Sequence, residues 1–193
     1  MKIYFVRHGQ TDYNYQRLIQ GRIDAPLNKT GIKQAKETGQ LLKSLDFKYD
    51  KIVSSPLSRA FETAHLVARK MSYKDSILIQ PNLVERDFGN YELEPIKGTF
   101  DKLMTPGFNE PGFEDDKALK VRVNNALNDL YENHKGETII AVVHAHVIRT
   151  AYIIHDSSKY DYTNFFLGNC SIHVFNYDGN KLDLETTYNN EEK

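Results

Sequence analysis

Along the chain, short unbroken apolar runs alternate with longer stretches whose apolar positions recur every three or four residues. Ile3-Tyr4-Phe5-Val6 is a continuous β-prone run, the pattern of a strand buried on both faces. From Thr30, which reads as an N-cap, apolar Ile32, Ala35, Leu41, Leu42 and Leu45 predict a helix in spite of Gly31 and Gly39. Ile52-Val53 predicts a second strand. Pro56 suits the start of the next helix, where Ala60, Ala64, Val67, Ala68 and Met71 share one face. Ile77 to Ile79 predicts a third strand. Between Tyr91 and Asp116 the periodicity is lost, and Pro95, Gly98, Pro106, Gly107, Pro111 and Gly112 stand among scattered aromatics. That composition predicts a loop-rich excursion, or cap, over one edge. Leu119, Val123, Ala126, Leu127 and Leu130 restore a helical period, Thr138 to Val143 is the clearest strand, and a helix follows from about His146 to His155. Ile172 to Tyr177 and Leu182 to Thr187 flank Asp178-Gly179-Asn180 and predict a closing hairpin, with Asn189 to Lys193 as a frayed tail.

Strand–helix alternation predicts an α/β fold: three layers, a mainly parallel sheet with helices on both faces, and a small loop-rich cap at about 91–116. The expected organisation is one domain over residues 1–193. Composition then acts by exclusion. With 40% hydrophobic residues a sizeable core can form. Lys+Arg 25 against Asp+Glu 26 argues against a nucleic-acid coat or a polybasic membrane binder. No apolar run approaches the ~20 residues of a membrane-spanning helix, and the opening apolar stretch is too short for a secretory signal. Cys170 is the single cysteine and is expected to be a buried apolar filler, so neither an internal disulfide nor a cysteine-rich metal site is expected. The expectation is a cytoplasmic protein, monomer or homodimer, with no nucleic-acid or membrane partner.

In parallel sheets ligands bind beyond the carboxyl ends of the strands. Arg7-His8-Gly9-Gln10-Thr11, with Asn14 close behind, follows the first strand; Ser54-Ser55-Pro56-Leu57-Ser58-Arg59 follows the second; Glu85-Arg86 follows the third; His144-Ala145-His146 follows the fourth. Two arginines and an asparagine make a donor-rich pocket suited to a phosphoryl dianion. A histidine there can attack phosphorus, and a glutamic acid at the edge can protonate the leaving oxygen. The chemistry suggested is phosphoryl transfer through a phosphohistidine. The i, i+2 pair His144 and His146 could also face one metal, but no further ligand follows at metallohydrolase spacing, so no metal is expected.

Arg7-His8-Gly9 with Thr11 and Asn14, the stretch Gln20 to Leu27 with Thr30-Gly31, Ser54 to Ala60 with Thr63-Ala64, Glu85 with Gly89 and Glu92, and His144 with Arg149 and Asn169 together resemble the histidine phosphatase superfamily, also called phosphoglycerate mutase-like. Five blocks in the right order cover nearly the whole chain. The resemblance implies the phosphoglycerate mutase-like fold and a small phosphorylated metabolite as substrate. It implies His8 as nucleophile, Arg7, Arg59 and His144 as phosphate clamp, Asn14 as a further donor, and Glu85 as general acid and then base. Gln20, Gly21, Arg86 and Ala145 are further candidates for substrate binding, as are Arg17 and Arg22 at the entrance; His146 is read as a helix-start residue near the site, and Arg149 either as an ion-pair partner inside the helix packing, the favoured reading, or as a rim residue.

Three positions depart from the family pattern. Ala145 stands where glycine is usual, which would be strained at a positive φ; Leu93 replaces a glycine after Glu92; and Pro111-Gly112-Phe113-Glu114-Asp115 replaces a common motif, a change expected to alter substrate choice. On one scaffold the family holds phosphatases, which pass the phosphoryl group to water, and cofactor-dependent mutases, which need bisphosphoglycerate and a closed basic cap. Here 44 residues separate Glu92 from Glu137, and the first part is acidic and aromatic, without an arginine cluster. A metal-independent phosphomonoester hydrolase with no cofactor is therefore expected. Arg86 directly after Glu85 is the feature that keeps the mutase in contention. A catalytically dead binding module would have lost His8, an arginine or Glu85, and none is lost.

Overall fold

The structure, a computed structural model, describes residues 1–189; residues 190–193 of the expected frayed tail lie outside them. Strands β1 (Lys2–Arg7), β2 (Lys51–Ser54), β3 (Leu78–Ile79), β4 (Thr138–Val143), β5 (Ile172–Tyr177) and β6 (Leu182–Tyr188) form one sheet in the order β3-β2-β4-β1-β5-β6. The first four run parallel, and β5 and β6 close the sheet as an antiparallel hairpin against β1. The helices are α1 (Asp12–Tyr15), α2 (Lys29–Ser44), α3 (Ser58–Met71), α4 (Ile96–Leu103), α5 (Asp116–His134) and α6 (Ala145–His155).

Both faces of the sheet are covered, which explains why the strands read as unbroken apolar runs. Alternate residues of β1 go to opposite cores: Ile3 and Phe5 pack with α5 and α6, whereas Tyr4 and Val6 pack with α2 and α3. β4 does the same, Ile139 and Ala141 on the first side and Ile140 and Val142 on the second. No helix among the described residues is long and apolar enough to cross a membrane.

The structure corrects the sequence reading at several boundaries. The cap of α2 is Asn28, whose side chain accepts from Gly31 N, so Thr30 lies inside the first turn. Pro56 sits in the turn before α3, whose N-cap Leu57 offers no side-chain bond. The third strand shrinks to two exposed edge residues. The 91–116 segment contains α4, interrupted at Lys97 and Gly98, the latter with φ +87°. The proline and glycine spacing hid this helix, and α1 was too short to show a period.

Candidate active site

The site forms where adjacent parallel strands stop. β1 and β4 run in register with Arg7 opposite Val143, so the next residues, His8 and His144, become neighbours with ring centroids 5.2 Å apart. β2 brings Ser55 to the same rim, where its hydroxyl meets His144 Nε2 at 2.7 Å. The His8 N–H donates to Val143 O at 3.0 Å, extending the ladder one step past the strand. Gly9 is required by close approach, since a Cβ there would lie 2.6 Å from Gly31 O at the start of α2.

His8 is oriented through both ring nitrogens. Nδ1 donates to Gly9 O at 2.7 Å, which leaves Nε2 as the lone-pair nitrogen, and Arg59 Nε donates to it at 3.3 Å. Burial first, then the charges of Arg59 and Arg7, hold the ring well below the ordinary histidine range, against the smaller opposing effect of the Gly9 bond. His8 is therefore a neutral imidazole with an aimed lone pair.

Arg59, in the first turn of α3 and wholly buried, is fixed by main-chain acceptors: Nη1 to Ile23 O at 2.8 Å and Nη2 to Gly21 O at 2.7 Å. That loop is held in turn by Glu92, whose carboxylate accepts from Arg22 N at 2.6 Å and Ile23 N at 3.0 Å. Gly21 has φ +55°, and a Cβ would lie 2.0 Å from Glu92 Oε1, so the tie admits only glycine. Burial lowers Arg59 to about 10, still a cation at neutral pH. Arg7 donates through Nη1 to Leu167 O, while its Nε is buried and unpartnered.

Glu85 is 6% exposed and accepts backbone bonds from Arg86 N at 2.9 Å and His146 N at 3.2 Å. Those bonds and the two arginines favour the carboxylate, yet burial outweighs them and raises its pKa. Asn14 Oδ1 is committed to Thr11 N and Asn169 Nδ2, which leaves its amide nitrogen to a ligand.

These groups line a cavity of about 250 Å³. Arg7, His8, Arg59 and Glu85 are on it, as are Asn14, Gln20, Gly21 and Ala145. Ala145 is the first residue of α6 and does not have positive φ, so the missing glycine brings no strain there. His144 stands behind His8 rather than on the cavity wall, with Nδ1 buried and unpartnered.

Arg86 is the correction. It is 1% exposed and turned away: Nε donates to Glu114 O and Nη2 to Asp116, each at 2.8 Å, with the Phe113 ring 4.5 Å from its guanidinium. It braces the cap and does not line the cavity. Nor does the Pro111 to Asp115 stretch line it: Phe113 packs on Arg86, Glu114 binds Arg122 twice at 2.7 Å, and Asp115 caps α5. Arg22 pairs with Asp87 at 3.2 Å, and Arg17 is also off the cavity.

His146, at the start of α6 as expected, is also cavity wall, among the rings of Phe88, Phe100 and Tyr162, and Arg149, over Phe165, takes the rim alternative over the favoured packing role. The available signal was spacing, since Arg149 follows Ala145 and His146 by four and three residues on one helix. The apolar walls Leu18, Ile96 and Phe100 carried no comparable signal.

Residues 3–190 match the profile of the histidine phosphatase superfamily (branch 1). The chain is 35% identical over 143 residues, 74% of this chain and 71% of the relative, to the uncharacterized phosphatase PhoE of Bacillus subtilis. It is 33% identical over 195 residues, 95% of this chain and 83% of the relative, to phosphoglycerate mutase-like protein 4 of Arabidopsis thaliana. Among solved structures, a mutant of phosphoserine phosphatase from Entamoeba histolytica, in complex with phosphoserine, is similar with TM-score 0.80 and 26% identity over 98% of each chain.

Proposed function

The chain belongs to the histidine phosphatase superfamily, and on that premise we propose that it is a metal-independent hydrolase of small phosphomonoesters that works through a phosphohistidine on His8. The observation that carries the reading is the neutral His8, its Nδ1 locked and its Nε2 lone pair met by the Arg59 guanidinium, in one cavity with Arg7 and a buried carboxylic acid.

In the first half-reaction Nε2 of His8 attacks phosphorus, the N–P bond forms and the ester P–O bond breaks. The proton of Glu85 passes to the departing oxygen, which leaves as an alcohol. Arg7 and Arg59, both on the cavity, offset the charge on the phosphoryl oxygens, the work a metal ion does in other phosphoryl-transfer sites, while His144 backs the His8 ring. In the second half, water attacks the phosphohistidine, its proton goes to the Glu85 carboxylate, and the N–P bond breaks to release phosphate. Glu85 suits both turns because burial raises its pKa towards neutrality while the arginines keep its anion accessible. The mutase alternative leaned on Arg86, and Arg86 is engaged with Glu114 and Asp116 instead of the cavity.

The test is phosphate release from a panel of phosphomonoesters in EDTA between pH about 5 and 7.5, a window that spans the unperturbed histidine range. Turnover is expected to survive the chelator and to fall by at least about 10³-fold in His8→Ala, with loss of an alkali-stable, acid-labile phosphoenzyme. Wild-type rates in His8→Ala would overturn the mechanism; isomerisation of monophosphoglycerates faster than phosphate release would establish the mutase.

A further inference from the structure

We propose that Thr63 is a positioning residue for the nucleophile: its hydroxyl closes a ring of hydrogen bonds that holds the His8 imidazole against Arg59. The role in attack rests on the phosphatase reading above, whereas the hold on the imidazole can be read without any substrate. His8 Nδ1 donates to Gly9 O at 2.7 Å, and Gly9 N donates to Thr63 Oγ1 at 3.0 Å. Thr63 Oγ1 donates to Arg59 O at 2.7 Å, and Arg59 Nε donates to His8 Nε2 at 3.3 Å, which completes the circuit. All of its members are buried, and Thr63, at 0% exposure, does not line the cavity.

A threonine inside a helix commonly bonds the carbonyl one turn back, so the bond to Arg59 O alone would say little. Thr150 on α6 makes the same bond, to His146 O at 2.7 Å, and its other partner is the Tyr162 hydroxyl at 3.1 Å. The second partner of Thr63 is what sets it apart. Gly9 is 54 residues away, just past His8 beyond the end of β1, so one hydroxyl fastens the strand end to α3. It uses its proton on Arg59 O and a lone pair on Gly9 N–H, and is satisfied in both directions.

Each link is weak in isolation. A glycine main chain is the least restrained of any residue, so the direction of Gly9 O, which fixes the His8 tautomer, needs an outside hold. The Arg59 guanidinium is tied to the carbonyls of Gly21 and Ile23, but those ties do not reach the His8 strand end. Thr63 joins the main chain of Arg59 to the main chain beside His8, so guanidinium and imidazole are set against each other from both ends. Without the hydroxyl, Gly9 N–H is a buried donor with no partner, and the strand end shifts to relieve it. Misplacing a reacting group by about 1 Å can cost about 10²-fold in rate. Arg59 keeps its carbonyl ties throughout, so attack should suffer far more than phosphate binding.

The test compares Thr63→Val, which keeps the shape of the side chain and loses its hydroxyl, with Thr63→Ser, which keeps the hydroxyl. Nitrogen NMR of the 15N-histidine-labelled free protein reads the imidazole, with His8 assigned by the signals lost in His8→Ala. In the wild type His8 should give one protonated and one lone-pair nitrogen, well separated. In Thr63→Val the two signals should move towards each other as tautomers interconvert, while kcat falls by about 10- to 100-fold and KM stays within about 3-fold. Thr63→Ser should recover most of both readouts. Thr150→Val, which removes a buried hydroxyl from the other helix, should lower the melting temperature as Thr63→Val does and leave the His8 signals in place. Unmoved His8 signals in Thr63→Val, moved signals with kcat at its wild-type value, or no recovery in Thr63→Ser overturn the positioning role. Equal movement in Thr150→Val also overturns it, because any loosened helix would then do the same. Should Thr63→Val fail to fold by thermal melt, Thr63→Ala against Thr63→Ser isolates the same hydroxyl. Moved signals in a protein whose wild type hydrolyses no ester of the panel leave the hold on His8 standing and strike the phosphatase reading instead.

Discussion

The cavity floor and the cap both hold arginines in fixed positions, and they hold them by opposite means. On the floor, Arg59 is fixed by the carbonyls of Gly21 and Ile23, and Arg7 by that of Leu167. In the cap and its base, Arg86 meets Asp116, Arg122 meets Glu114, and Arg22 meets Asp87 and Glu114. A carbonyl orients a guanidinium but leaves its unit charge available, whereas a carboxylate neutralises that charge inside the protein. Which arginines can bind an anion is decided by their partners, not by their proximity in sequence to a catalytic block. Arg86 adjoins Glu85 in the chain and is neutralised; Arg149 is distant from it in the chain and is not.

The largest expected effect tests the one carboxyl group on the floor. Glu85 is bonded to N–H groups and raised by burial, so Glu85→Gln keeps its shape and removes only its proton. The variant should lose about 10²- to 10⁴-fold in kcat on alkyl phosphates and much less on aryl phosphates, whose leaving groups need little protonation. In the wild type the acid form of Glu85 is required, so kcat should fall as pH rises through its elevated pKa, and that limb should vanish in Glu85→Gln. His8 is depressed and stays neutral, so the acidic side should not fall until pH drops well below its ordinary range. Full alkyl-phosphate turnover in Glu85→Gln would assign the acid to another group.

A smaller effect, on stability instead of chemistry, is expected from the cap. Glu114 and Arg122 have side chains only 10% and 14% exposed, so Glu114→Ala strands the Arg122 charge and leaves Arg22 with Asp87 as its remaining carboxylate. The expected cost is about 3–5 kcal/mol, read as a melting temperature lowered by roughly 6–20 °C. At temperatures where the variant is folded, kcat on an aryl phosphate should stay within about 3-fold of wild type, since Glu114 does not line the cavity. An unchanged melt would show that solvent already screens the pair; a collapse of kcat in the folded variant would make the cap part of the chemistry.

The same division explains what could be read from the chain. Strand ends are legible because an apolar run must stop before a polar residue, and pairing β1 with β4 in register then delivers His8 and His144 to one place. Arg59 and Glu85 follow from the strand-end rule by the same logic. Partners that come from distant loops are not legible: nothing near Arg86 in sequence shows that Glu114 and Asp116 will meet it, and nothing near Arg149 shows that no carboxylate will. Proline and glycine in the cap likewise concealed α4, because a helix interrupted at Lys97 and Gly98 has no continuous period.

The smallest effect concerns the backbone that carries this cap. Leu93, where the family pattern places a glycine, has φ +68° and is 40% exposed, while its N–H donates to Ile19 O at 2.7 Å. A β-carbon in the left-handed region costs about 1 kcal/mol, and the hydrogen bond, together with the bridge between Leu18 and Pro95, holds the chain there regardless. Leu93→Gly removes that strain but frees the unfolded chain by about 0.5 kcal/mol, and little packing is lost from so exposed a side chain. The net expectation is a gain of about 0.5 kcal/mol, a rise of roughly 1–2 °C in melting temperature, with kcat/KM unchanged. A melt lowered by several degrees would mean that packing of the Leu93 side chain outweighs its strain, and the cap would then rest on side-chain contacts as well as on carboxylates.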